Sequence, residues 1–89
     1  MDSASIIARL KYICDNEYSE NTSLFTLYSD VIQFQDYIRE RTSPELYQHL
    51  CTELDCVFNE ARFGDGVYAD YVFNDCIDVL KEIVEEIEE

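Results

Sequence analysis

The stretch that most constrains this chain is its last third, Gly66 to Glu89, which reads GVYADYVFNDCIDVLKEIVEEIEE. Apolar residues recur there at Tyr68, Val72, Cys76, Val79, Leu80, Ile83, Val84 and Ile87, the spacing of one face of an amphipathic helix. Off that face the stretch is almost wholly acidic, with Asp70, Asp75, Asp78, Glu82, Glu85, Glu86, Glu88 and Glu89 against the single base Lys81. A helix with one oily and one anionic side must bury the first. The second is left to meet solvent or a partner.

The same 3.6-residue period runs through the rest of the chain and predicts helices over about 4–15, 24–41, 44–62 and 67–86. Asp2 or Ser3 caps the first, whose stripe is Ile6, Ile7, Leu10, Ile13 and Cys14. Asn16 to Ser23 is polar and poor in helix formers, so it reads as a loop. Thr22 or Ser23 caps the second helix, with Leu24, Leu27, Tyr28, Val31, Ile32, Gln35 and Ile38 on its inner face. Phe25, Phe34 and Tyr37 widen that arc beyond what one neighbour needs. Thr42-Ser43-Pro44 is the strongest stop, because proline holds Ser43 extended and opens a new helix with Ser43 as its cap. Leu46, Leu50, Leu54, Val57, Phe58 and Ala61 line the third helix, and Gly64 suits the left-handed position that ends it. The acids from Glu85 to Glu89 sit at the negative end of the last helix dipole, so its final turn is expected to fray. No period-two pattern, repeat or linker interrupts the series. The expectation is all-α: one domain over 1–89, an antiparallel four-helix bundle.

Charge narrows the partners. The chain carries 20 acids and 6 bases, a formal net charge of −14. Residues 1–42 hold 7 acids and 4 bases, whereas residues 43–89 hold 13 acids and 2 bases, so the second half carries −11 of the total. Six scattered bases do not make the basic stripe that phosphate contacts require, which argues against direct binding to nucleic acid or to an anionic membrane. A hydrophobic content of 47% separates the chain from a disordered acidic tail. Such a domain steers towards a basic protein.

Cys14, Cys51, Cys56 and Cys76 lie on or beside helical apolar faces, the pattern of buried free thiols in a reducing cytosol. Met1-Asp2-Ser3 leads into an amphipathic helix rather than a signal peptide, and no run approaches the roughly 18 apolar residues of a membrane span. A cytoplasmic location is therefore expected.

Chemistry-bearing constellations are sparse. His49 is flanked at helical spacing by Glu45 and Glu53, which reads as a solvated triplet rather than a metal site. Cys51 and Cys56 diverge around a helix by roughly 140° and do not chelate one ion. Asp65 to Asp70 lacks the alternating oxygen ligands of a calcium loop, with Val67 and Ala69 at the needed places. No cofactor, metal or enzymatic activity is expected. What remains is an acidic stripe with tyrosines beside it: Asp65, Tyr68, Asp70, Tyr71, Asp75, Asp78, Glu82 and Glu85. Carboxylates about 5–6 Å apart on a rigid rod approximate a row of phosphates, and tyrosine adds a rigid anchor.

In size, charge and helical pattern the chain resembles the small acidic immunity proteins that bacteria make against nuclease toxins of colicin-type and contact-dependent inhibition systems. The helical members that act on colicin DNases carry a Tyr-Tyr-Pro turn, where this sequence has only Tyr68-Ala69-Asp70-Tyr71. The resemblance implies an inhibitor bound to one basic nuclease domain, blocking its access to DNA or RNA. Two other readings stay open. One is a nucleic-acid-mimicking phage inhibitor of restriction or CRISPR complexes. The other is a helical adaptor or assembly subunit presenting Phe25, Phe34 and Tyr37.

Overall fold

A computed structural model describes residues 2–18 and 23–88, and every regular element among them is helical. The helices are α1 (Ser3–Cys14), α2 (Leu24–Ile32), α3 (Gln35–Arg41), α4 (Pro44–Phe63) and α5 (Ala69–Glu88). Local capping sets three of the starts. The Asp2 carboxylate accepts from the Ser5 N–H at 2.8 Å, which holds its carboxyl below the ordinary range. Ser23 Oγ accepts from the Thr26 N–H at 3.0 Å, and Ser43 Oγ from that of Leu46 at 3.3 Å. Thr22, the alternative cap for the second helix, lies outside the described residues, as does the middle of the loop before it.

The helix expected over 24–41 is two helices. The N–H of Phe34 bonds to the carbonyl of Val31 at 3.0 Å, one residue short of the α-helical step. That frees the Asp30 carbonyl, and the Gln33 side-chain amide donates to it at 3.1 Å. Phe34 then starts α3 with its carbonyl accepting from Ile38 and no side-chain cap. The wide aromatic arc is also narrower than its sequence suggests. Phe34 is buried, and Tyr37 is half-buried with the Arg41 guanidinium 4.1 Å from its ring centre. Only Phe25 of the three is exposed.

Gly64 does not take a left-handed conformation. Its φ of −76° and ψ of 160° are extended, and its N–H bonds to the Glu60 carbonyl at 2.9 Å. A β-carbon at this position would collide with the Glu60 side chain and carbonyl, so close approach is what asks for glycine here. The positive φ belongs to Gly66, at 92°.

α5 is the spine. It runs antiparallel to α4, since Ser43 meets Glu86, His49 faces Glu82, and Glu53 faces Asp75 and Asp78. It also runs antiparallel to α1, with Lys11 paired to Glu88 and the Tyr18 ring 5.7 Å from that of Phe73. Its buried face is Ala69, Phe73, Cys76, Ile77, Val79, Leu80, Ile83 and Val84. Phe73 and Ile77 were not on the apolar stripe read from the sequence, yet Phe73 is fully buried and among the largest side chains of the core. Tyr68, placed on that stripe, is 63% exposed and precedes the helix.

The last helix, expected to fray over its final turn and to end near residue 86, stays helical to Glu88, and Glu89 lies outside the described residues. The antiparallel pairing explains it. The acids at the C-terminal end of α5 lie beside the N-terminus of α4, the positive end of that helix's dipole. The Ser43 N–H donates to Glu86 Oε1 at 2.6 Å, and Lys11 of α1 pairs with Glu88.

Glu86→Ala should therefore cost about 1–2 kcal/mol in urea unfolding, the range of a lost charged hydrogen bond at a helix start. Phe73→Ala should cost about 3–5 kcal/mol as a core cavity. Equal, near-zero costs for both would contradict the role given to α5.

Candidate functional site

Where α4 and α5 lie side by side, their exposed edges bound a valley. Its upper reach, about 350 Å³, is lined by His49, Glu53, Asp75, Asp78, Val79 and Glu82. The lower reach, about 680 Å³, is lined by Ser43, Glu45, Leu46, His49, Glu82, Glu85 and Glu86. The two share His49 and Glu82, so they form one trough. Its walls carry seven carboxylates, from Glu45, Glu53, Asp75, Asp78, Glu82, Glu85 and Glu86, and no lysine or arginine. The only group of opposite tendency is His49, whose Nε2 is 3.5 Å from Glu53 Oε1.

The helical period builds this trough. Asp75, Asp78, Glu82 and Glu85 step three or four residues apart along α5 and stand on one edge, while Glu45, His49 and Glu53 step four apart along α4 and face them. The α5 wall holds four of the expected site residues, Asp75, Asp78, Glu82 and Glu85. Glu45, His49 and Glu53, expected as a solvated surface triplet, form the facing wall, and their four-residue spacing is itself the sign of one. Glu86, outside the expected site, leans towards Ser43. Among the described residues no group of three or more histidines, cysteines or carboxylates is placed to hold a metal ion.

The other four expected site residues do not line the trough. Asp65 lies in the α4–α5 turn, where its carboxylate accepts from the Val67 N–H at 3.0 Å. Asp70 accepts from the Tyr71 N–H at 2.9 Å. Tyr68 and Tyr71 are 63% and 67% exposed, and Phe63 and Val67 stand exposed beside them. One stripe in the sequence is thus two surfaces: a charged trough, and an apolar tip at the turn.

Like charges along both walls repel, and the apolar bundle beneath concentrates their field outward. Each like pair at helical spacing costs a few tenths of a kcal/mol, about 0.2–0.5. The fold tolerates this cost where it could have interleaved bases, as Lys11, Arg39 and Arg41 pair with acids elsewhere.

The cysteines are free, and two sit in the core. Burial pushes the Cys14 thiol up to about 11 and the Cys76 thiol up to about 12, the latter helped by Glu53 nearby. Cys51 is half-buried, and Cys56 is exposed, which corrects the expectation that all four thiols are buried. Partial burial and then Glu53, Asp55 and Asp75 raise the Cys56 thiol as well.

Compared with known proteins, the chain matches no family model, no curated protein and no solved structure.

Two measurements check this description. Added salt should raise the melting temperature, because it screens repulsion in the trough more than it weakens the few exposed ion pairs. A melting temperature that falls with salt would contradict the trough. A raised thiol pKa keeps the nucleophilic thiolate scarce at neutral pH and lets it appear only as pH climbs. Iodoacetamide at neutral pH should accordingly modify Cys56 first and reach Cys14 and Cys76 only on unfolding. Early modification of Cys76 would contradict the packing.

Proposed function

We propose that this protein is an inhibitor that binds and occludes a basic partner, as an immunity protein neutralising a nuclease-type toxin. The observation that supports this is the trough: seven carboxylates on two facing helix edges with no lysine or arginine between them. Nuclease domains concentrate lysine and arginine where phosphates bind. A rigid anionic trough complements such a surface in sign, raises the encounter rate, and blocks nucleic acid by filling the space it needs. The scaffold is read as an antiparallel four-helix bundle whose second rod is interrupted, α2 and α3 together counting as one. On this reading the protein works in the cytoplasm, where a toxin's producer must protect its own nucleic acid, and it needs no cofactor.

One observation favours a second reading. Because acids from α4 join those of α5, the carboxylates form two facing rows rather than one local stripe. Two rows flanking a trough suit a nucleic-acid-mimicking inhibitor of a restriction or CRISPR complex. The adaptor reading loses ground, since Phe34 and much of Tyr37 are taken into the fold.

The test is a pull-down from the native host with tagged protein at low salt, washed in rising salt, beside a variant with Asp75, Asp78 and Glu82 all replaced by serine. The expected result is one basic nuclease that leaves only at high salt and that the variant, still folded by circular dichroism, retains at least about tenfold less well. A restriction or CRISPR complex recovered in the same way would select the second reading. Equal retention by the triple variant would remove the trough from the interface.

A further inference from the structure

At the end of the molecule where α4 turns into α5, most of the exposed large hydrophobic side chains gather. Phe25, Phe63, Val67, Tyr68 and Tyr71 are all 49% exposed or more, and Tyr18 stands beside them at 39%. Between Tyr18, Phe25, Ala61, Gly64 and Ala69 lies a cleft of about 240 Å³. Glu60 also lines it, and its Oε1 atom is buried with no hydrogen-bond partner among the described residues.

That oxygen is the informative atom. A buried carboxylate oxygen without a donor forfeits its hydration and gains nothing in return. The chain meets this condition beside a cleft flanked by the rings of Tyr18 and Phe25, and aromatic faces attract cations. The absence of a side chain at Gly64 is what leaves room for the carboxylate, since a β-carbon there would fall on it. Arg62 already lies over the Phe63 ring, its guanidinium 5.4 Å from the ring centre, so Phe63 is not the cation's seat; with Glu60, Asp65 and Asp70 against this one base the surroundings stay negative. A second copy of this chain, also at −14, is repelled from the same place.

We infer that this cleft receives a lysine or arginine side chain of the basic partner, with an apolar residue next to it covering Phe63, Val67 and Tyr68. The inference rests on the reading of the protein as a binder of a basic partner and adds a division of labour. The trough draws the partner in, and the tip holds it. Removing charge from the trough then weakens binding mainly by slowing association and flattening its salt dependence, whereas altering Glu60 or Phe63 mainly speeds dissociation.

The test uses two synthetic peptides of equal length and charge, one alternating arginine with leucine and one alternating arginine with serine, titrated into isotope-labelled protein and followed by amide shifts. The arginine–leucine peptide should shift Gly64, Gly66 and Ala69 and bind more tightly than the arginine–serine peptide. Glu60→Gln should weaken it about tenfold, the scale of one charge-assisted hydrogen bond with its cation–π contact. Phe63→Ser should remove the preference for leucine over serine. Shifts confined to the trough for both peptides would overturn the tip while leaving the basic-partner reading intact. No shift with either peptide would overturn both. Unchanged affinity in Glu60→Gln would overturn the cation cleft, and tip shifts that grow with protein concentration alone would assign the patch to self-association.

Discussion

The antiparallel contact of α4 with α5 is the interaction on which the rest depends. A helix ending in Glu82, Glu85, Glu86 and Glu88 places negative charge at the negative end of its own dipole, which in isolation favours fraying. Pairing it head-to-tail with α4 puts the same carboxylates beside a positive helix start. The hydrogen bond from the Ser43 N–H to Glu86 fixes that arrangement. Proline at 44 contributes from the other side, since it sets the first turn of α4 and leaves Ser43 extended where the carboxylate can reach it. The buried face of α5 supplies the cohesion, with Phe73, Leu80 and Ile83 fully enclosed.

From that contact follow both surfaces. Two helices held side by side with acids on their facing edges make a trough, and the turn that joins them makes a tip. The trough is a costly object, because seven like charges at helical spacing repel. Its persistence in a chain that pairs acids with bases elsewhere supports reading it as a surface meant for another molecule. The tip has a different character: exposed rings, a few charges among them, and one carboxylate oxygen short of a donor. On the proposed function, long-range attraction and short-range hold fall to different residues, which is how charged interfaces usually separate association from dissociation.

Much of this was legible in the sequence because helical period is a strong signal. The stripes of α1 and α4, the Ser43-Pro44 start, the Ser23 cap and the acidic edge of α5 all follow from spacing and from side-chain chemistry. The interruption at Gln33-Phe34 was not legible: no glycine, proline or capping side chain marks it, and Val31, Phe34 and Ile38 keep the spacing of one continuous helix. Phe73 was missed because a helix packed against both α1 and α4 buries a wider arc than a single stripe describes. The role of Glu45 and Glu53 was missed for a different reason. A wall is defined by what stands opposite it, and that is tertiary information. Likewise, the extended Gly64 reflects a close approach by Glu60 rather than a backbone angle, which no local pattern announces.

The most direct test of the trough is amide hydrogen exchange on the complex with the basic protein recovered from the host, compared with the free protein. New protection is expected along Glu45 to Glu53 and Tyr71 to Glu86 and at the tip around Phe25 and Phe63 to Ala69, with α1, α3 and the rest of α2 little changed. Protection concentrated on α1 to α3, with both edges of the trough exchanging as in the free protein, would contradict it.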